Sequence, residues 1–156
     1  MRAAAVGRAG DSDGEASASG DGARGARLDV LLVEDDAALA EMYRIRLTVD
    51  GHCVRITTDG PSGLAEALDR PPQVALLDLG LPGFDGLELL ERLRRDVRGA
   101  RVPVIVLSNY SDPELIRRGA ELGALAYLIK SQTTPATLVE TMCDLLSGRP
   151  AGFAGT

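Results

Sequence analysis

Six residues with reactive or charged side chains sit at the ends of short apolar runs. Glu34, Asp35 and Asp36 follow Leu31-Leu32-Val33, and Asp78 follows Val74-Ala75-Leu76-Leu77. Ser108 follows Val104-Ile105-Val106-Leu107, and Lys130 follows Leu128-Ile129. Carboxylates gathered in one place repel one another and raise each other's pKa unless a cation joins them. A hard divalent cation such as Mg²⁺, which takes one or two carboxylates plus waters and phosphate oxygens, suits such a set. Asp78 can then act as a carboxylate nucleophile that forms an acyl phosphate. Lys130 offers a compact ammonium for a carboxylate or a phosphoryl oxygen, and Ser108 can donate to the same oxygen. Together the cation and the ammonium would neutralise charge on a transferring group.

Each of these residues alone has an ordinary reading. An acidic triplet after a strand is commonly a solvated loop and helix cap, a lone Asp a turn residue, and one lysine a stray. Yet this chain of 156 residues has 17 basic residues, and Lys130 is the single lysine among them. Chance does not easily place all six residues at the ends of four different runs.

Those runs have the length and continuity of strands covered on both faces. They are Leu28–Val33, Cys53–Ile56, Val74–Leu77, Val102–Leu107 and Leu125–Ile129. Between them lie helical patterns: Leu39, Met42, Tyr43 and Leu47; Leu87, Leu90, Leu93 and Val97; Leu138, Met142 and Leu145. Asp112-Pro113 and Thr134-Pro135 each set a capping residue before a proline at the first helical position. Ser111 and Glu114 could add a capping box. Five β units alternating with five α units over about 120 residues describe an α/β, doubly wound parallel sheet with helices on both faces. Sites in such sheets form at the carboxyl ends of the strands, which is where the six residues fall.

Residues 1–27 differ in kind. Seventeen of them are Ala, Gly or Ser, so the segment is expected to be a disordered tail ahead of a folded unit over 28–147, with a short tail over 148–156. The net charge of −6 argues against a free-standing nucleic-acid binder. Aromatic residues are too few for base-stacking platforms. No apolar run approaches a membrane span or a signal peptide, so a cytoplasmic protein without membrane insertion is expected. Cys53 and Cys143 form no paired motif and read as small buried hydrophobes; His52 reads as structural.

Four strings carry a resemblance: Leu-Leu-Val-Glu-Asp-Asp at 31–36, Asp78-Leu79-Gly80-Leu81-Pro82-Gly83-Phe84-Asp85-Gly86, Val106-Leu107-Ser108 and Tyr127-Leu128-Ile129-Lys130. In this order, with gaps of 43, 30 and 22 residues from Asp35 to Asp78 to Ser108 to Lys130, they resemble the receiver domain of bacterial two-component response regulators. The resemblance implies a flavodoxin-like strand order 2-1-3-4-5. It implies that Asp78 is the phosphoacceptor, taking a phosphoryl group from a sensor histidine kinase or a histidine phosphotransfer protein. Asp35 would bind Mg²⁺ directly, Glu34 through water, and the Gly80 backbone carbonyl would be a further ligand. Asp36 would cap the first helix. Ser108 and Lys130 would contact the phosphoryl group. Tyr127 would be the switch aromatic, moving inward as Ser108 shifts. Arg117 and Arg118 would lie on the output face, where they meet a downstream target protein or form an ordinary solvated helix face.

Two positions depart from the family. The residue after the lysine is commonly a proline in a cis peptide, and here it is Ser131. The residue after the switch hydroxyl is commonly very small, and here Asn109 and then Tyr110 follow. Their side chains are expected to crowd the pocket and slow attack by water or small phosphodonors. The chain ends shortly after the last expected helix, so a stand-alone receiver, acting as an adaptor or in a phosphorelay, is the leading expectation. A phosphorylation-independent module of the same fold is the second. An enzyme is the third: a dehalogenase-type phosphatase would want Asp where Gly80 stands, and no P-loop motif occurs.

Overall fold

A computed structural model of the chain describes residues 27–148. The expectations for residues 1–26 and 149–156 lie outside the described residues. Eleven elements alternate along the chain: β1 (Asp29–Val33), α1 (Ala37–Val49), β2 (Cys53–Thr57), α2 (Gly60–Asp69), β3 (Val74–Asp78), α3 (Gly86–Arg95), β4 (Val104–Ser108), α4 (Pro113–Glu121), β5 (Ala126–Ile129), a 3₁₀ turn (Lys130–Gln132) and α5 (Pro135–Leu146). All strands pair in parallel, in the order β2-β1-β3-β4-β5.

The continuous apolar runs are explained by two cores, one on each face. Alternate residues of a strand point to opposite sides. Leu31, Val33, Ala75, Leu77, Val104 and Val106 pack toward α2, α3 and α4. Val30, Leu32, Val74, Leu76, Ile105 and Leu107 pack toward α1 and α5. Every residue of β3 and β4 is buried. Edge strand β2 is half exposed, which leaves Cys53 at the surface and corrects its reading as a buried hydrophobe.

Helix ends follow their capping residues. Asp36, Asp85, Asp112 and Thr134 each accept a backbone N–H at the start of α1, α3, α4 and α5. The α4 cap is Asp112, which accepts from Glu114 N–H, so Ser111 is not the capping residue. Two residues of the expected helical stripes face water. Met42 lies on the outer side of α1, and Val97 is 91% exposed beyond the end of α3. β4 begins at Val104, two residues later than the apolar run. Arg27, expected within the tail, instead donates from Nε to the Gly51 carbonyl at 2.8 Å. His52 is buried and its Nδ1 accepts from Leu28 N–H at 3.0 Å, a structural position at the opposite end of β1 from the acidic triplet.

Candidate functional site

The parallel register brings the carboxyl ends of β1, β3 and β5 to one edge of the sheet. Glu34, Asp35, Asp78, Gly80 and Lys130 line one open pocket there of about 390 Å³. Backbone geometry fixes its floor. The segment after β3 turns at Gly83, whose φ of +83° suits glycine. α3 then starts so close to β3 that a Cβ on Gly86 would lie 2.3 Å from the Asp78 carbonyl oxygen.

Within the pocket, one ammonium joins two carboxylates. Lys130 Nζ lies 2.9 Å from Asp78 Oδ1 and 2.9 Å from Glu34 Oε1. Glu34 Oε2 also accepts from Asp36 N–H at 3.2 Å. Glu34 is 1% exposed and Lys130 is mostly covered, so these are desolvated pairs with hydrogen bonds on both sides. Burial pushes the Glu34 carboxyl above its ordinary range, against the pull of the Lys130 hydrogen bond. For Lys130, burial works against the charge, and the hydrogen bonds to Asp78 and Glu34 outweigh it, so its pKa is raised.

The pocket fits a divalent cation on its own chemistry. Carboxylate oxygens of Glu34, Asp35 and Asp78 lie within 4.8 Å of one another, with one buried, one exposed and one buried member. Three hard oxygen donors and an open mouth for water match the demands of such an ion.

Ser108 and Tyr127 sit behind the pocket rather than on its lining. Ser108 is fully buried, and its Oγ accepts from Tyr110 N–H at 2.9 Å. Tyr127 is also fully buried, and its hydroxyl donates to the Tyr110 carbonyl at 3.0 Å. The ring therefore already lies inside, packed beside Gly119 of α4. Burial raises the pKa of its phenol. No cis peptide occurs among the described residues, so Lys130–Ser131 is trans.

Both arginines singled out on α4 are engaged. Arg117 pairs with Glu114 and Glu121 on its own helix, and Arg118 reaches Glu91 of α3 at 2.8 Å. Sequence reasoning missed Arg94. Its guanidinium donates to the carbonyls of Gly99, Val102, Leu122 and Gly123, tying the end of α3 to the turn after α4. Its position in a run of arginines hides it, because Arg92 and Arg95 beside it pair with Glu88 and Glu91 at the surface.

Known proteins agree with this geometry. The family model for the response regulator receiver domain matches residues 30–142. The transcriptional regulatory protein CseB of Streptomyces coelicolor is 42% identical over 101 residues, which are 65% of this chain and 42% of CseB. The DNA-binding dual master transcriptional regulator RpaA of Synechocystis is 37% identical over 101 residues, again 65% of this chain and 42% of the relative. The chain thus spans less than half the length of these two regulators. Among solved structures, the chemotaxis response regulator CheY4 of Vibrio cholerae superposes with a TM-score of 0.71 at 27% identity, covering 76% of this chain and 98% of CheY4. No helix among the described residues is long and apolar enough to cross a membrane. The extent of the family match, the 2-1-3-4-5 sheet and the acidic pocket at its carboxyl edge establish that this chain belongs to the response regulator receiver domain family.

Proposed function

We propose that the chain accepts a phosphoryl group on Asp78 from the phosphohistidine of a sensor histidine kinase or a histidine phosphotransfer protein. It then signals in the cytoplasm through protein contacts that depend on phosphorylation, as a stand-alone adaptor or a member of a phosphorelay. The observation that carries this reading is the Lys130 ammonium set 2.9 Å from both Asp78 and Glu34, beside a cluster of three carboxylates. Asp35, Asp78 and the Gly80 carbonyl would hold Mg²⁺, with Glu34 reaching it through water. The ion, when bound, neutralises charge on the transferring group.

The remaining chemistry falls to the chain's own side chains. Asp78 supplies the attacking carboxylate. Lys130 leaves its carboxylate partners in part to pair with a phosphoryl oxygen, and the Ser108 hydroxyl turns from the Tyr110 N–H to donate to another. That turn frees the loop between β4 and α4, which Tyr127 also holds, and so links the pocket to α4 with Arg117 and Arg118 on the output face. Self-phosphorylation from a small donor, and later hydrolysis, would use the same groups. DNA binding is stated for RpaA as a whole, of which this chain matches 42%. For this acidic receiver the proposed output is a protein, not nucleic acid.

The test is a phosphate-affinity gel of wild type and Asp78→Asn with acetyl phosphate and Mg²⁺. The wild type should shift and the variant should not. A wild type left unshifted by a competent donor, a phosphohistidine protein included, would favour the phosphorylation-independent module instead.

A further inference from the structure

Among the described residues, three of the six large apolar side chains left exposed share one helix. Met42, Ile45 and Val49 of α1 are 51%, 50% and 73% exposed. Their spacing of three and then four residues sets them in one line along the helix. The line runs on the side away from Ala40, Tyr43 and Leu47, which α1 buries against the sheet. The other three, Ile56, Val97 and Tyr110, stand on separate elements. A contiguous apolar stripe of this kind marks a contact surface.

The chain's own C-terminal segment starts within reach of it. α1 and α5 pack on the same face of the sheet. Cys143, near the end of α5, brings its Sγ to 3.8 Å from Nε2 of His52, which follows Val49 by three residues. So α5 finishes beside the end of α1. At Gly148, whose φ is +88°, the chain turns off the helix axis. The sequence continues Arg149-Pro150-Ala151-Gly152-Phe153-Ala154-Gly155-Thr156, in which Phe153 is the single large apolar side chain. Gly152, Ala154 and Gly155 around it carry no bulk that would hold the ring off a surface. The five residues from Gly148 to Phe153 can span about 17 Å. The stripe from Val49 to Met42 is about 10 Å long.

We propose that the Phe153 ring docks on the α1 stripe, over Ile45 and Val49, as an intramolecular cover that any partner of this face must displace. The inference goes beyond the phosphoacceptor reading and does not rest on it. So short a tether raises the local concentration of the ring to the millimolar range, so the contact needs far less area than two separate molecules would.

The test is methyl NMR of the full chain labelled at isoleucine δ1, with a soluble nitroxide as the probe of exposure. Ile45→Val assigns the Ile45 signal, and Ile56, Ile105, Ile116 and Ile129 serve as internal references. In the wild type the ring should shift the Ile45 methyl upfield and shield it from broadening by the nitroxide. Phe153→Ala should lose both the shift and the shielding. Phe153→Leu should lose the shift, which needs an aromatic ring, and keep part of the shielding. Val49→Ser, at a position already 73% exposed, should weaken both, and thermal melts would verify that it folds. An Ile45 signal with the same shift and the same broadening in wild type and Phe153→Ala would overturn the proposal. A difference that grows with protein concentration would overturn it too, by giving the stripe to a second copy of the chain.

Discussion

Replacing Lys130 with methionine removes the charge and keeps a stem of similar length. Two carboxylates that each lie 2.9 Å from the ammonium are then left together, with side chains 1% and 7% exposed. Taking one partner from a desolvated pair costs about 3–5 kcal/mol, because the remaining charge stays buried without compensation. With a urea m-value of about 2 kcal/mol/M for a domain of this size, the unfolding midpoint in EDTA should fall by about 2 M. Mg²⁺ should restore part of the loss: at a hundredfold excess over its dissociation constant a ligand of the native state adds about 2.7 kcal/mol. The gain should exceed that of the wild type, where the ammonium competes for the same oxygens. The pH dependence has a definite sign. Burial already raises the Glu34 pKa above its ordinary value, and removing the Lys130 hydrogen bond takes away the main force opposing it. A carboxyl whose folded-state pKa is raised binds more protons when folded, so stability in EDTA should recover as the pH falls from neutral through that raised pKa. The assay is urea unfolding by circular dichroism in EDTA and in Mg²⁺, at pH 7.5 and at pH 5.5. A midpoint within ~0.2 M of wild type in EDTA, under half a kcal/mol at that slope, would refute the argument that this ammonium holds the carboxylates together.

Lys130→Arg keeps the charge on a wider, planar fork, so it should still permit phosphorylation of Asp78 but weaken phosphate-dependent partner binding, measured by pull-down with and without acetyl phosphate. Unchanged phosphate-dependent binding would count against a specific role for the lysine. Gly86→Ala drives a Cβ into the Asp78 carbonyl 2.3 Å away, and since that neighbour is backbone the cost should be about 2–3 kcal/mol in urea unfolding, with slower labelling of Asp78. Arg94→Met strips donors from four backbone carbonyls and should cost about 2–3 kcal/mol, with faster amide exchange in the turn after α4. Asn109 lines the pocket mouth, so Asn109→Ala should be labelled by acetyl phosphate several times faster, and equal rates would count against crowding.

How much of this was legible in the residues depends on the range of the interaction. Strand ends and helix caps are local, and Asp36, Asp112 and Thr134 cap the helices their neighbours indicate. The meeting of Lys130 with Glu34, 96 residues away, follows from parallel pairing, because each strand delivers its last side chain to the same edge. Side-chain direction behind that edge is not local. Nothing in the string Val106-Leu107-Ser108-Asn109-Tyr110 says that the Ser108 hydroxyl is held by a backbone N–H two residues on, or that the Tyr127 hydroxyl holds the carbonyl of the same residue. Nor does a run of arginines mark which one turns inward; only the bare carbonyls that meet Arg94 do. Cys53 was misread because edge strand β2 is half exposed while its composition resembles that of a covered strand.

A charge count links the pocket to the loop behind it. Glu34, Asp35, Asp36 and Asp78 bring four carboxylates to the pocket lining and Lys130 one positive charge, so a divalent cation leaves a resting sum of one negative charge. An acyl phosphate on Asp78 replaces one negative charge by about two. No further cation lines the pocket among the described residues, so in the proposed phosphorylated form the added charge would fall to neutral donors. Ser108 is the donor at the end of the neighbouring strand, one position past the residue paired with Asp78. Its hydroxyl oxygen accepts from Tyr110 N–H, and a swing of Oγ toward a phosphoryl oxygen would lengthen that bond. The loss falls on the residue whose carbonyl anchors Tyr127, which packs against Gly119 of α4. Each contact in this chain is worth about 1 kcal/mol, so in the proposed switch the route to α4 would be a series of small shifts driven by a single unit of charge. Arg94 holds the turn after α4 through the Leu122 and Gly123 carbonyls, so in the proposed switch the displacement would enter α4 from its N-terminal end, next to Tyr110.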